Sequence, residues 1–320
     1  AANPARFEPD LASSLNNLSN RMSTADDVGA LAAVTEAVEV YRRLAAANPA
    51  RFEPDLATSL NNLSIRFNES SNVTGALDAS TQAVEVRRRL AAANPARFEP
   101  DLAMSLNNLS NRLSETGDTA GALAASTEAV QASRRLATAN PARFEPDLAP
   151  ILNSLSNRLS ETGDAAGALA AITEAVEVSR RLAAANPARF EPGLASCLNN
   201  LSIRLGATGD IAGALAAITE AVHVSRRLAA ANPARFEPDL ASSLNNLSGD
   251  LSATGDAAGA LAASNEAVEV YSRLAAANPA RFEPDLATSL NNLSGDLSET
   301  GEAEGALAAS TDAVEVYRRL

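Results

Sequence analysis

Residues 94–139 read NPARFEPDLAMSLNNLSNRLSETGDTAGALAASTEAVQASRRLATA, and this unit recurs almost unchanged along the 320-residue chain. The string NPARFEP returns at a spacing of 45 residues once and 46 residues five times. A fixed period of this length is typical of repeat architectures, in which each unit buries its apolar face against its neighbours. The sequence therefore predicts a single solenoid over residues 1–320, with repeats at 1–47, 48–93, 94–139, 140–185, 186–231, 232–277 and 278–320.

The first half of each repeat has the apolar spacing of an amphipathic helix. In residues 94–139 four leucines are separated by steps of four, three and four, which places them on one stripe. Pro100 is typical of a first helical turn, so we expect this helix to begin near Glu99. The stripe consists of Leu102, Leu106, Leu109 and Leu113.

A second helix follows after a glycine turn. Gly117 indicates a left-handed helix end, and Asp118 is suited to cap the next helix. The Asn140-Pro141 pair should end that helix, because proline lacks a backbone N–H. The inner side is predicted at Ala122, Ala125, Ala129, Val130 and Leu136. Each repeat is thus a helical hairpin, and the fold class is all-α: an α-solenoid of seven antiparallel helix pairs.

These residues resemble the tetratricopeptide repeat (TPR) family. The family's pattern of large and small residues can be laid on Leu106, Leu109, Ser110, Leu113, Ala122, Ser126 and Ala129. The sequence departs from it in using leucines for the family's large aromatics and in having a period about twelve residues longer than the family's 34. The long-repeat, kinesin-light-chain-like subgroup, with its L-N-N-L-A string before a Gly turn, is more similar. The resemblance implies a right-handed superhelix whose first helices line a concave surface.

Asparagines recur in the string SLNNLS of the first helix. Their amides offer both donors and acceptors. The resemblance to kinesin light chains and to carboxylate-clamp members of the family implies that they contact the main chain of an extended peptide. The alternative is a structural ladder of amides between repeats, and both roles can hold together. The predicted peptide-binding residues are Asn16, Asn17, Asn20, Asn61, Asn62, Asn107, Asn108, Asn111, Asn153, Asn157, Asn199, Asn200, Asn245, Asn246, Asn291 and Asn292.

Differences between the copies suggest further features. One position after the asparagines is Arg in the first five repeats and Asp in the last two, which predicts a groove edge whose charge changes sign. This edge either selects a polarised ligand or is a solvated rim. In the fourth repeat Pro150 follows Pro146 by four residues, so we expect a late or kinked start to that helix. The variable edge consists of Arg21, Arg66, Arg112, Arg158, Arg204, Asp250 and Asp296.

The string ARFEP supplies one phenylalanine to each junction between repeats. We expect the ring to fill the junction and the flanking Arg and Glu to form an exposed ion pair with each other. The phenylalanines are Phe7, Phe52, Phe98, Phe144, Phe190, Phe236 and Phe282.

Composition excludes several classes of function. The net charge is −13 and the chain has no Lys, which argues against nucleic acid and anionic membranes as partners. A single cysteine, Cys197, and a single histidine, His223, provide no basis for a metal site, a cofactor or a catalytic group. We expect a cytoplasmic protein. The start AANPARFEP, without Met, suggests an excerpt of a longer chain.

Together these features predict a non-enzymatic scaffold that holds an extended peptide or partner segment in its groove. One alternative is self-assembly, since the ends of the chain match the internal junctions and would give a homo-oligomer or a head-to-tail filament. Another is the sensor arm of a larger signalling protein. The asparagines are the residues on which the first of these functions depends.

Overall fold

A computed structural model describes residues 4–22 and 27–320, and within them the chain forms fourteen α-helices and no strand. Odd-numbered helices are called first helices here, and even-numbered ones second helices. Their bounds are α1 Pro4–Arg21, α2 Asp27–Ala47, α3 Pro49–Glu69, α4 Val73–Ala93, α5 Pro95–Glu115, α6 Thr119–Ala139, α7 Pro141–Glu161, α8 Ala165–Ala185, α9 Pro187–Thr208, α10 Ile211–Ala231, α11 Pro233–Thr254, α12 Ala257–Ala277, α13 Pro279–Glu299 and α14 Ala303–Arg319.

The helices form two compact units. Unit 1 contains residues 1–164 and unit 2 contains residues 165–320. Within each unit, every helix packs against the helix before it and the helix after it. The turns between them are short, so neighbouring helices run antiparallel. This arrangement of stacked hairpins confirms the all-α repeat fold predicted from the period.

Each first helix begins earlier than predicted. α5 starts at Pro95, and Asn94 caps it by accepting a hydrogen bond from the Arg97 backbone N–H at 3.3 Å. The expected start near Glu99 is therefore wrong, because an Asn cap followed by proline at the first helical position already nucleates the helix. Pro100 lies inside the helix. Because proline lacks a backbone N–H, one carbonyl of the exposed first turn is left without its helical hydrogen bond.

The predicted late start of the fourth first helix is also wrong. α7 begins at Pro141, as its counterparts do, and continues through both Pro146 and Pro150 to Glu161. Pro150 is exposed. The hydrogen bond that it removes is therefore lost on the solvent side, where water can satisfy the carbonyl.

The turns within the hairpins follow the prediction. Gly117 has φ +82°, and the Asp118 side chain accepts a hydrogen bond from the Gly121 N–H at 2.9 Å. The Asp118 N–H donates to the Leu113 carbonyl at 2.9 Å, which closes a Schellman-type end. The shortened turn of the first repeat, STADDVG, lies largely outside the described residues.

Ser71 occupies the left-handed position that glycine holds in the turns of the later repeats. Its φ is +59°. Because this conformation costs a residue with a Cβ roughly 1–2 kcal/mol, we expect Ser71→Gly to raise the free energy of unfolding by about 1 kcal/mol in urea titrations. Ser70→Gly is the control, since Ser70 has φ −87° and gains nothing from glycine. A Ser71→Gly variant no more stable than the parent would contradict this account.

The core is made mostly of leucine and alanine. Leu102 and Leu106 are buried, whereas Leu109 and Leu113 are half-buried near the end of the helix. On the second helix the predicted inner residues are buried except Leu136, which is half-buried; the buried ones are Ala122, Ala125, Ala129 and Val130. Small side chains therefore allow the two helices of a hairpin to approach closely.

The phenylalanines from Phe52 onward lie between repeats, whereas Phe7 is 52% exposed. Their polar neighbours differ from the prediction. Phe52 is 8% exposed, and the Arg51 guanidinium lies 4.9 Å from the centre of its ring. Glu53 pairs instead with Arg89 at 2.8 Å, on the second helix of the same repeat. The predicted Arg–Glu pair within ARFEP is therefore wrong, because the arginine stacks on the ring and the glutamate faces the neighbouring helix.

Candidate peptide-binding surface

The first helices form one side of each unit. α1 contacts α3 and α5 contacts α7 in unit 1, while α9 contacts α11 and α11 contacts α13 in unit 2. Within a unit, the described residues of consecutive second helices make at most marginal contact. The closer spacing of the first helices places them on the inner side of the curve of each unit. We call this side the first-helix face.

In three repeats the first asparagine of the pair bonds to a serine of the next repeat, forming a ladder. The Asn16 Nδ2 donates to the Ser59 Oγ at 2.6 Å, and Asn61 donates to Ser105 at 2.8 Å. Asn245 makes the corresponding bond to Ser289 at 2.7 Å. These amides link adjacent first helices. They therefore form the structural ladder that was the alternative to peptide contact.

The other predicted asparagines differ in their partners. In the described part of the chain, no side-chain hydrogen bond of Asn62, Asn108 or Asn111 is seen, and all three are half-buried.

Asn17, Asn20 and Asn291 are exposed and Asn292 is half-buried. The remaining half-buried members engage other residues: Asn246 donates to the Asn199 Oδ1 at 2.9 Å, and Asn153, Asn157 and Asn200 also have partners. Asn107 is half-buried, and its Oδ1 has no partner, as is also true of the Asn61 Oδ1. Ile151 replaces the serine to which the Asn107 Nδ2 would donate.

From the second repeat onward, the variable Arg and Asp position is not a solvated rim, whereas Arg21 of the first repeat is exposed. The Arg158 side chain is 10% exposed, and the Arg66 guanidinium donates to the Ser19 carbonyl of the preceding repeat at 3.0 Å. Asp296 is 6% exposed. Its carboxylate accepts hydrogen bonds from Ser248 at 2.6 Å and Ser252 at 3.1 Å. The solvated-rim interpretation is therefore wrong, since this flank of the first helix packs against the preceding repeat.

A cavity of about 160 Å³ opens between repeats five and six in unit 2. Ser225 and Ser243 are buried at its floor, and Ser196, Asp239 and Ser242 lie exposed at its rim. Its other lining residues are Pro192, Ala195, Asn199, Leu228 and Phe236. Because it lies between α9 and α11, it belongs to the first-helix face.

Two polar groups of this cavity are unusual. The Ser225 Oγ is buried without a hydrogen-bond partner, and Ser225 is 1% exposed. Partial burial raises the pKa of the Asp239 carboxyl, an effect that the nearby Arg235 partly offsets. No motif in the sequence indicated this site. The sequence feature related to it is a second-helix position that is Tyr, Arg or Ser, depending on the repeat.

The potential metal ligands among the described residues lie apart from one another. Within residues 4–22 and 27–320, no group of three His, Cys, Asp or Glu side chains is arranged to hold a metal ion. Cys197 is buried, and this burial raises the pKa of the thiol. His223 is exposed on α10. In the same described residues, no helix has the length and apolar character required to span a membrane.

Comparison with known proteins identifies the repeats. The family model for the tetratricopeptide repeat matches residues 102–137, 194–232, 240–278 and 286–320. No protein of curated function matches the chain significantly.

Solved structures share the fold at low sequence identity. BtubC (BKLC) from P. vanneervenii has a TM-score of 0.62 at 21% identity, covering 77% of this chain and 91% of that one. The apo form of RapI has a TM-score of 0.59 at 13% identity, covering 89% and 92%. A putative kinesin light chain from Podosopora anserina with nearly identical TPR-like repeats has a TM-score of 0.49 at 19% identity, covering 71% and 98%. Since the remaining three repeats are near copies of the four that match, the chain belongs to the tetratricopeptide repeat family.

Proposed function

We propose that this protein is a non-enzymatic scaffold that binds an extended segment of a partner protein along its first-helix face. The supporting observation is the set of half-buried amides at Asn62, Asn108 and Asn111, which have no side-chain partner among the described residues of the protein. The atoms of these amides are accessible to solvent, so a bound segment can replace water as their hydrogen-bond partner. The repeat fold is consistent with protein–protein interaction.

The first asparagines support this role indirectly. Their bonds to serines of the next repeat hold neighbouring first helices in register. Asn62 directly follows the ladder residue Asn61, whose bond to Ser105 joins α3 to the helix that carries Asn108. The positions of Asn62 and Asn108 are therefore fixed relative to one another. A preorganised row of amides loses little conformational entropy when a peptide binds. Because amides bond to main-chain N–H and C=O groups, such a row is compatible with many side-chain sequences.

The test uses a peptide selected on the protein from a random-sequence display library. We expect Asn62→Ala, Asn108→Ala and Asn111→Ala combined to weaken its binding by about tenfold or more, since two or three hydrogen bonds of about 1 kcal/mol each are lost. Fluorescence anisotropy of the labelled peptide measures the affinity, and circular dichroism shows whether helicity is retained.

The matched control is Asn265→Ala. Asn265 is an exposed asparagine on the second helix α12, where its amide donates to the Leu261 carbonyl. We expect this variant to bind the peptide as the parent does. Equal affinity of the triple variant and the parent for every selected peptide would exclude the first-helix asparagines as the binding residues.

A second candidate function is end-to-end self-association. Tyr317 on α14 is 48% exposed, whereas the corresponding Tyr271 is 5% exposed against the following repeat. On α1, Leu11 and Leu18 are 46% and 50% exposed. Their counterparts in the next repeat, Leu56 and Leu63, are 8% and 7% exposed. The two ends therefore present apolar side chains at positions that internal junctions bury.

Sedimentation velocity over a range of protein concentrations tests this second function. Self-association predicts a sedimentation coefficient that rises with concentration and a lower one for Tyr317→Arg. Ser272→Arg is the control, because it adds the same charge at an exposed position on α12. A concentration-independent monomer would refute self-association while leaving the peptide-binding proposal intact.

A further inference from the structure

One position on the second helix decides how each junction between repeats is filled. It is occupied by Tyr41, Arg87, Ser133, Ser179, Ser225, Tyr271 and Tyr317 in turn. Tyr41 and Tyr271 are 4% and 5% exposed, so their rings fill the junctions that follow them. At Ser225 the short side chain leaves the cavity of about 160 Å³.

In the junction after the second repeat, this position is an arginine, Arg87, and its side chain fills the corresponding space. Arg87 is 6% exposed. Its guanidinium Nη1 lies 2.6 Å from the Asp101 Oδ2, and its Nη2 donates to the Thr58 Oγ1 at 3.2 Å. A carboxylate from the following repeat and a hydroxyl from the same repeat therefore form a guanidinium site.

The same two groups are present at the cavity, without the arginine. Three repeats further along, Asp239 corresponds to Asp101 and Ser196 corresponds to Thr58, and both line the cavity. Ser225 stands where Arg87 stands, and its buried Oγ, without a partner, faces the same space. The cavity therefore contains both acceptors of a guanidinium site but no guanidinium group.

We propose that this cavity binds the guanidinium group of an arginine side chain of the partner segment, in the position that Arg87 occupies in its own junction. The inference rests on the proposed function in taking that arginine from the bound segment. The cavity lies beside Asn199 on the first-helix face of unit 2, so a segment lying along that face of unit 2 can reach it. The chain's excess of negative charge, −13, favours a cationic side chain as the ligand.

The other serine junctions lack this capacity. At Ser133 the hydroxyl acceptor is replaced by Met104, and Ile151 occupies the place of Ser243. The cavity there measures about 10 Å³, roughly the room of one water molecule. At Ser179 the aspartate is replaced by Gly193, so the carboxylate is missing. Among these three junctions, the site that combines space with an acidic acceptor is the one at Ser225.

The experiment measures binding of N-acetyl-arginine N-methylamide to the whole protein by saturation-transfer NMR. We expect saturable binding with a dissociation constant on the order of 1 mM, as is reasonable for a ligand of this size. The corresponding citrulline derivative has nearly the same shape without the charge. We expect it to bind about tenfold more weakly, since the charge-assisted hydrogen bonds are lost.

Two variants locate the site. Asp239→Asn should weaken binding of the arginine derivative by about tenfold. Ser225→Arg should abolish it, because the new side chain occupies the cavity as Arg87 does. Asp285→Asn is the matched control, since Asp285 holds the corresponding position at the junction filled by Tyr271 and should leave binding unchanged.

Failure of this inference is distinguishable from failure of the proposed function. Undiminished binding in Ser225→Arg, equal binding of the citrulline derivative, or no saturable binding of the arginine derivative would each overturn the arginine pocket. Peptide binding that depends on Asn62, Asn108 and Asn111 would survive any of these results. Conversely, an arginine derivative that binds in an Asp239-dependent manner would support the pocket even if the asparagine variants bind peptides normally.

Discussion

The Tyr271→Ser variant should unfold at markedly lower urea concentration than the parent, with a loss of about 3 kcal/mol in the free energy of unfolding. Tyr271 is 5% exposed and packs with Ala275, Phe282 and Leu286 between repeats six and seven. Removing its ring leaves a cavity in a junction that cannot fully collapse, because the helices on both sides are fixed by their neighbours. Ser225 holds the corresponding position one repeat earlier, and a cavity lies beside it.

Tyr317→Ser is the control for this prediction. Tyr317 has the same place in its repeat but is 48% exposed, so its replacement should change the stability by no more than about 0.5 kcal/mol. Equal effects of the two substitutions would show that burial between repeats is not what makes Tyr271 stabilising. If the arginine pocket is correct, Tyr271→Ser should also gain a second guanidinium site, formed by Asp285 and Ser242.

The second large effect is expected for Asp296→Ala, with a loss of about 2 kcal/mol in the free energy of unfolding. The Asp296 carboxylate is buried and accepts hydrogen bonds from Ser248 and Ser252 of the preceding repeat. Its removal leaves both hydroxyls without their acceptor at a site from which water is largely excluded. Asp312→Ala, on the exposed surface of α14, should have little effect.

A combined variant tests the cause of this loss. Replacing Ser248 and Ser252 with alanine together with Asp296→Leu removes all of the polar groups, and we expect it to be more stable than Asp296→Ala alone. The comparison is made by urea unfolding monitored by circular dichroism. A combined variant no more stable than Asp296→Ala would show that the unpaired hydroxyls are not the cause of the loss.

Much of the fold could be predicted from the sequence because the repeats make the local signals redundant. Gly117 and Asp118 marked the turn, and Asn140 marked the end of the second helix, as the structure confirms. The start of the first helix was missed for a local reason. Asn94 followed by Pro95 is itself a helix-start signal, and it comes before Pro100, which is equally typical of a first helical turn.

The site was less predictable because its properties depend on neighbours in other repeats. The two asparagines of SLNNLS are identical in type, yet Asn61 bonds to Ser105 while Asn62 has no such bond among the described residues. Arg66 and Asp296 looked like surface charges because helical spacing alone does not reveal packing against the preceding first helix. The cavity required positions from three helices, so no single stretch of sequence indicated it.

The central claim is that first-helix amides bind the main chain of an extended segment. Its most direct test is the affinity of a selected peptide, measured by anisotropy, before and after N-methylation of successive backbone amides. The account predicts that methylation at the contacted positions weakens binding by about tenfold and that this loss disappears in the combined Asn62, Asn108 and Asn111 variant. Unchanged affinity of every N-methylated peptide would contradict main-chain recognition.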